Sequence, residues 1–144
     1  MKADEPSRRQ DSLIEEFKPL LDDKEMMLMY LMERGEELPK FPESDKQDKY
    51  LVRGCQSRVW VRAEDKNGYI IFKGDSDAHI TKGLLSLLIT VLSNLPAQMI
   101  CEVHIFFPPK IGLSRYIGTQ RTNGFQAMLG RMKEMASSIN MVDS

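Results

Sequence analysis

The pattern of hydrophobic and polar positions predicts a β-hairpin in the middle of the chain. Residues 58–63 (RVWVRA) place apolar side chains at every second position, which is the period of a strand with one buried face. Asn67-Gly68 follows, the pair favoured in two-residue hairpin turns, and residues 69–73 (YIIFK) form the returning strand. We predict a further strand at residues 50–52, so the sheet has about three antiparallel strands.

Apolar residues at helical spacing predict four helices outside the hairpin. The first two cover residues 11–18 and 24–34, and Gly35 is expected to end the second helix. The third covers residues 78–93 and is apolar nearly all round, which indicates burial on most sides. An amphipathic stripe in residues 123–139 predicts the fourth helix.

The remaining segments complete the predicted fold. We expect an irregular loop at residues 36–49, and a short helical turn followed by a strand within residues 96–107 that two consecutive prolines end. Residues 1–10 are polar and are expected to form a disordered tail, which leaves residues 11–144 as a single domain. The predicted fold class is therefore α+β, with helices packed on one face of a small antiparallel sheet.

Composition and net charge exclude several classes of function. The 144 residues carry 20 basic and 21 acidic side chains, and the resulting net charge of −1 gives no support for nucleic-acid binding. The chain has neither an apolar run long enough to span a membrane nor the apolar core of a secretory signal near its start. Two cysteines are too few for a disulfide scaffold and suggest a reducing compartment, so we expect a cytoplasmic protein.

Charge is unevenly distributed along the chain. Residues 1–49 contain 9 basic and 14 acidic side chains, whereas residues 50–144 contain 11 and 7. The basic excess follows the segment around Cys55, with cations at Arg53, Arg58, Arg62, Lys66 and Lys73. Positive charge near a thiol lowers the pKa of the thiol and favours the nucleophilic thiolate.

Two interpretations of Cys55 stay open on the residues alone. Gly54 allows a tight turn beside the thiol, and Arg53 and Arg58 flank it, which favours a reactive cysteine at a loop tip. A free cysteine is more often a small buried hydrophobe, however. Cys101 lies in the apolar run MICEVHIFF and is expected to fill the core.

A cysteine hydrolase and a structural zinc site are both disfavoured. A hydrolase would need a histidine base for Cys55, and neither His79 nor His104 shows a pairing that the sequence reveals. The cysteines and histidines also lack the CxxC or HxxxH spacing that is typical of zinc ligands.

Other polar positions have a plain structural interpretation. Asp75, Ser76 and Asp77 precede the predicted buried helix, where Ser76 or Asp77 would cap it. Arg121 is interpreted as a solvated loop charge. The four methionines in residues 26–32 either fill a core or form an adaptable partner surface. A thiol-independent interaction module is therefore an alternative function.

Four ordered segments carry a family resemblance: LMERGEELPKF, LVRGCQSRVWV, KGDSDAHITKGLLSLLI and QRTNGFQAML. Together they resemble the SufE family of sulfur-acceptor proteins. The corresponding family motifs are a helix followed by Gly-x-x-Leu-Pro, then GCQSxVW, SDAxIxKGL and SRSxGLxAM. The resemblance covers roughly residues 12–138, which is nearly the whole chain.

The resemblance implies a persulfide relay. A pyridoxal-phosphate-dependent cysteine desulfurase of the SufS or CsdA type forms a persulfide on its own cysteine. The family member stimulates the desulfurase, accepts the terminal sulfur and passes it to an iron–sulfur scaffold of the SufBCD type. The acceptor here would be Cys55, and Asp77 and Arg121 fall on motif positions near it. Support of the acceptor loop would come from Arg53, Gly54, Gln56, Ser57 and Arg58.

The resemblance also implies a fold similar to the IscU-type scaffold proteins and an accessory protein without a bound cofactor or metal. The resemblance is compatible with a homodimer. A persulfide must be shielded from reductants, so we expect the loop to hold the cysteine against the domain. Docking of a partner would then move the loop outward, which is a gating motion. The chain departs from the family pattern in SRYIGTQR, where Tyr116 stands at a position commonly occupied by histidine.

Overall fold

The computed structural model describes residues 4–143. Its helices are α1 (Glu5–Phe17), α2 (Lys24–Glu36), α3 (His79–Leu92), α4 (Ala97–Glu102), α5 (Phe107–Lys110) and α6 (Leu113–Asp143). The strands β1 (Val59–Lys66), β2 (Tyr69–Ser76) and β3 (Leu95–Pro96) form one antiparallel sheet in the order β1-β2-β3. The α+β prediction is confirmed.

The predicted hairpin is the best-defined part of the sheet. β1 and β2 pair in register from Val59 opposite Ser76 to Lys66 opposite Tyr69. At the turn, Asn67 has φ 55° and the following glycine has φ 87°, the positive values that a tight hairpin turn of this kind requires. The sequence prediction is confirmed here because the apolar alternation and the two-residue turn together determine the register.

The prediction of the third strand is wrong in its position. Residues 50–52 do lie beside β1, with the Val52 amide donating to the carbonyl oxygen of Val59 at 2.8 Å. They form only one isolated bridge, between Leu51 and Trp60, because the first of them, Tyr50, is the last residue of a 3-10 turn. The third strand is instead β3, which pairs with the start of β2.

Helices α2 and α3 cross with their backbones in direct contact. A Cβ built on Gly83 of α3 would lie 2.1 Å from the carbonyl oxygen of Leu31, and one on Gly35 of α2 would lie 2.8 Å from the Gly83 nitrogen. Gly35 therefore lies inside α2 and does not end it, contrary to prediction. Helix α3 itself is buried, as its apolar sequence predicted.

The disordered tail predicted for residues 1–10 is wrong from Glu5 onwards, because α1 begins there. The side chain of Gln10 is almost completely buried and donates to the carbonyl oxygen of His104 at 3.0 Å. Its own oxygen accepts from the backbone amides of Phe106 at 2.7 Å and Phe107 at 3.2 Å. These long-range bonds attach the middle of α1 to residues 104–107, and local polarity gave no sign of them.

The C-terminal helix is longer than predicted and is kinked. It begins at Leu113, and Gly118 interrupts it with φ 83° and ψ 169°, so a second helical segment runs from residue 119 to residue 143. The strand predicted within residues 96–107 is wrong as well. That region contains α4, an extended link and the start of α5, where the two prolines occupy first-turn positions that need no amide donor.

Residues 4–143 include no helix that is long and apolar enough to cross a membrane.

Candidate functional site

The loop of residues 53–58 carries Cys55 and leads into β1. Gly54 has φ 97°, a backbone conformation that favours glycine. A Cβ at this position would lie 3.1 Å from the Cβ of Ala127 on α6. The glycine therefore lets the loop turn sharply while it lies close to the helix.

The thiol of Cys55 rests against α6. Its Sγ donates to the carbonyl oxygen of Gly124 at 3.4 Å. A Cβ built on Gly124 would also lie 3.4 Å from this sulfur. Because Gly124 has no side chain, the helix surface has room for the sulfur atom, and the cysteine is half-buried in this tucked position.

Burial raises the pKa of the Cys55 thiol above its ordinary value. The sequence led us to expect the opposite, because Arg53 and Arg58 flank the cysteine. Arg58 turns away to an aspartate, and Arg53 is exposed beside a separate depression that Lys49 and Arg131 also line. The expectation of an activated thiolate is wrong for this tucked conformation, in which the neutral thiol is favoured.

Asp77 binds the end of the cysteine loop and does not cap helix α3. Its Oδ1 accepts from the backbone amide of Arg58 at 3.0 Å, and its Oδ2 accepts from the Arg58 Nε at 3.1 Å. The hydroxyl of Ser76 donates to the Arg58 carbonyl oxygen at 2.9 Å. The cap position is Ala78, which makes no side-chain capping bond, so both predicted caps are wrong.

Asp75 has a different role from its neighbour Asp77. It lies on β2, with Lys46 and Lys82 each 3.3 Å from its carboxylate. Burial alone would raise the pKa of Asp75, but the hydrogen bond from the Ser76 amide and the two lysines outweigh burial and lower it. An ionised carboxylate thus ties the irregular loop at residues 36–49 to the sheet.

An open cavity of about 430 Å³ lies beside the Cys55 sulfur. It is lined by the cysteine loop, α3 and the kinked part of α6, through Cys55, Gln56, Ser57, Thr81, residues 117–121 and Gly124. The structure therefore brings Arg121 to the same cavity as the cysteine, whereas Asp77 lies outside its lining. The position of Arg121 on α6 contradicts its interpretation as a loop charge.

Six of the ten lining residues were not predicted from the sequence as site residues, and two of the six, Thr81 and Gly118, shape the cavity most. Thr81 lies within an apolar helix, and nothing in its sequence context distinguishes it from a core residue. Gly118 carried a signal, because glycine is common where a helix ends, and it ends the first segment of α6. Its positive φ is what turns the backbone of α6 around the cavity.

The histidines do not support a cysteine hydrolase. His79 is exposed at the start of α3, with its Nδ1 3.3 Å from a carboxylate oxygen of Glu36. His104 is exposed beside a different cavity. In the described part of the chain neither is hydrogen-bonded to Cys55 or lines its cavity. Residues 4–143 contain no group of three or more His, Cys, Asp or Glu side chains arranged to hold a metal ion.

Tyr116 has a structural position. Its side chain is buried, and its hydroxyl accepts from the backbone amide of Asp22 at 2.8 Å and from Arg115 at 3.0 Å. It thereby joins the first segment of α6 to the turn before α2. The Tyr116 hydroxyl therefore stabilises the packing of two distant segments and makes no hydrogen bond to the cysteine.

Replacing Asp77 with alanine is expected to loosen the cysteine loop. The substitution removes two bonds to Arg58, and because both side chains are partly exposed their contribution is about 1 kcal/mol. We expect Cys55 to react with iodoacetamide about 2- to 5-fold faster at neutral pH. Alanine at the exposed Asp11 on α1 is the matched control. Equal rates for both variants would show that Asp77 does not hold the loop.

Comparison with protein families identifies one domain over most of the chain. The family model described as SufE, the Fe-S metabolism associated domain, matches residues 11–136. All of the cavity-lining residues and the loop at residues 53–58 fall inside this match.

Comparison with individual proteins gives similar results. An uncharacterized SufE-like protein of Rhizobium etli is 36% identical over 131 residues, covering 88% of each chain. One of Rhizobium meliloti is 34% identical over 133 residues, covering 88% of this chain and 93% of its own. A hypothetical protein of Thermus thermophilus, solved in solution, has a similar fold with a TM-score of 0.73 at 23% identity, covering 90% of this chain and 94% of its own.

Proposed function

Because this chain belongs to the SufE family, whose domain is associated with Fe-S metabolism, we propose that it accepts sulfur from a cysteine desulfurase on Cys55, stimulates that desulfurase, and passes the sulfur on for iron–sulfur cluster assembly. The observation that carries the proposal is the place of Cys55. It lies on a turn that a glycine permits, with its sulfur at the wall of an open cavity.

The chemistry needs a thiolate and no general base. The Cys55 thiolate attacks the terminal sulfur of the donor persulfide, the sulfur–sulfur bond of the donor breaks, and the donor cysteine leaves as a thiolate. The product is a persulfide on Cys55, and no oxidant is consumed. A second exchange of the same kind passes the sulfur to the next thiol and restores Cys55. The protein is therefore an accessory carrier that reacts once per cycle.

The tucked position of the thiol gives the docking partner a role. Burial against α6 raises the pKa of Cys55, so the isolated protein holds a protected and weakly nucleophilic thiol. Moving the loop outward would return the thiol to water near the exposed Arg53. Arg58 would join it there only after leaving Asp77. Docking of the desulfurase would thus expose and activate the acceptor in one motion.

Mass spectrometry tests the acceptor residue directly. We expect incubation with a cysteine desulfurase and L-cysteine to add one sulfur atom, about 32 Da, to Cys55. Cys101 is the internal control, because it is the other cysteine of the chain and lies on α4 outside the cavity lining. Peptide mapping under non-reducing conditions would contradict the assignment if the sulfur were on Cys101.

One surface supports a second candidate function. On α2, Met26 and Met29 are 48% and 52% exposed, while Met27 is completely buried. Exposed methionines are adaptable contact residues, so this face is suited to a thiol-independent docking module. Such a module would not need Cys55, and the serine variant considered in the Discussion separates the two functions.

A further inference from the structure

The cavity beside Cys55 is larger than a single stored sulfur atom requires, and polar groups form part of its wall. Its volume is about 430 Å³, and it opens to solvent. The cysteine sulfur forms one part of its wall, and polar groups of α3 and α6 form another. A ligand that matched this wall would carry a sulfur atom at one end and a polar group at the other.

Thr81 is the first of these polar groups. The residue is 93% buried, since only 7% of its surface is exposed, and it lines the cavity. Its hydroxyl has no hydrogen-bond partner in the described part of the chain. The fully buried side-chain atoms without a partner in the described residues are the Nε atoms of Arg34 and Arg62, so the Thr81 hydroxyl is open to the cavity. A ligand in the cavity that accepts or donates a hydrogen bond would pair with it.

The second polar group is the start of a long helix. After Gly118 turns the backbone, the segment of residues 119–143 begins with its first turn in the cavity wall. The first turn of a helix favours a negatively charged group through its amides and its dipole. Arg121 belongs to the same turn and adds a positive charge. Within residues 4–143 its side chain donates to the Ile117 carbonyl oxygen at 3.4 Å.

We propose that this cavity binds a small thiol that carries a carboxylate, with the carboxylate at Arg121 and Thr81 and the thiol at Cys55. The inference rests on the proposed function and names a second sulfur recipient for the same site. The bound thiolate attacks the terminal sulfur of the Cys55 persulfide, the sulfur–sulfur bond at Cys55 breaks, and Cys55 leaves as a thiolate that takes up a proton. The products are free Cys55 and a small-molecule persulfide.

The test loads Cys55 without a desulfurase, so that it does not depend on the relay. In a Cys101→Ser background, Cys55 is converted to a mixed disulfide with thionitrobenzoate. Hydrosulfide then displaces the thionitrobenzoate and leaves a persulfide on Cys55. The loaded protein is mixed with L-cysteine or with cysteamine, which has a similar thiol and amine but no carboxylate, and loss of the added sulfur is followed by mass spectrometry.

We expect L-cysteine to discharge the persulfide with a rate that saturates with concentration. At low concentration it should be about 10-fold faster than cysteamine, a difference that corresponds to one charge-assisted contact. The variants Arg121→Gln and Thr81→Val should each remove most of this preference. Arg131→Gln, which changes a partly exposed arginine of the same helix outside the cavity, should keep it.

Equal rates for the two thiols in the loaded wild-type protein, linear in concentration, would overturn the inference. So would an equal loss of preference in Arg131→Gln, because it would assign the effect to general charge. A direct readout uses the unloaded protein. L-serine should slow the alkylation of Cys55, and ethanolamine, which lacks the carboxylate, should not. Failure of the desulfurase to load Cys55 would contradict the proposed function alone, since these measurements do not use it.

Discussion

A protein with Cys55 replaced by serine is expected to fold normally and to lose sulfur acceptance completely. A serine hydroxyl cannot form a persulfide, and it can make the same contact to the Gly124 carbonyl oxygen that the thiol makes. We expect no sulfur adduct on the protein and a fall of about 100-fold or more in its stimulation of the desulfurase. Sulfide release with L-cysteine as substrate measures this loss.

The matched control is Cys101→Ser, which should retain about half of the stimulation or more. Cys101 is partly buried on α4 and lies outside the Cys55 cavity. If Cys55→Ser still stimulated the desulfurase fully, the relay would be wrong and the docking module of α2 would be favoured. An ester- or amide-cleaving activity of the purified wild-type protein alone would instead support a cysteine hydrolase.

Replacing Gly83 with alanine is expected to cause the largest loss of stability. The added Cβ would lie 2.1 Å from the Leu31 carbonyl oxygen and 2.6 Å from its carbon, and both atoms belong to the backbone of α2. Because neither can rotate away, α2 and α3 would have to separate. We expect a loss of about 3 kcal/mol or more in the free energy of unfolding, and a melting temperature about 10 °C lower.

The control for this substitution is Gly130→Ala. Gly130 lies on α6, and a Cβ there would meet no atom within 4 Å. Alanine is the better helix former by about 0.5–1 kcal/mol, so this variant should be slightly more stable than the wild type in thermal unfolding. A similar loss for both variants would show that the crossing of α2 and α3 is not as close as the structure describes.

The sequence predicted those elements whose determinants are local. The β1–β2 hairpin followed from alternation and from Asn67-Gly68, and the buried α3 followed from its apolar run. The errors come from contacts between distant parts of the chain. Gly35 does not end a helix; it lacks a side chain because the backbone of α3 lies too close to leave room for one. Residues 5–10 are helical because α1 is bonded to a loop about 95 residues away. Neither contact leaves a periodic pattern in the sequence.

The candidate site was predicted in part. The motif around Cys55 identified the loop and its glycine, and Arg121 was carried over from a second motif. The cavity that unites them depends on the backbone direction after Gly118 and on a threonine inside an apolar helix. The thiol pKa was predicted in the wrong direction, because neighbours in sequence indicate charge but do not indicate which side chains are paired elsewhere.

The buried side chain of Gln10 has a consequence for where the folding unit begins. The match to the family model starts at residue 11, one position after it. A polypeptide trimmed to that shared region would keep every motif residue and lose the side chain that pairs with three backbone groups between residues 104 and 107. The region of sequence similarity is therefore shorter than the segment needed to pair the buried backbone groups. The first boundary marks shared sequence, and the second marks the start of the folding unit.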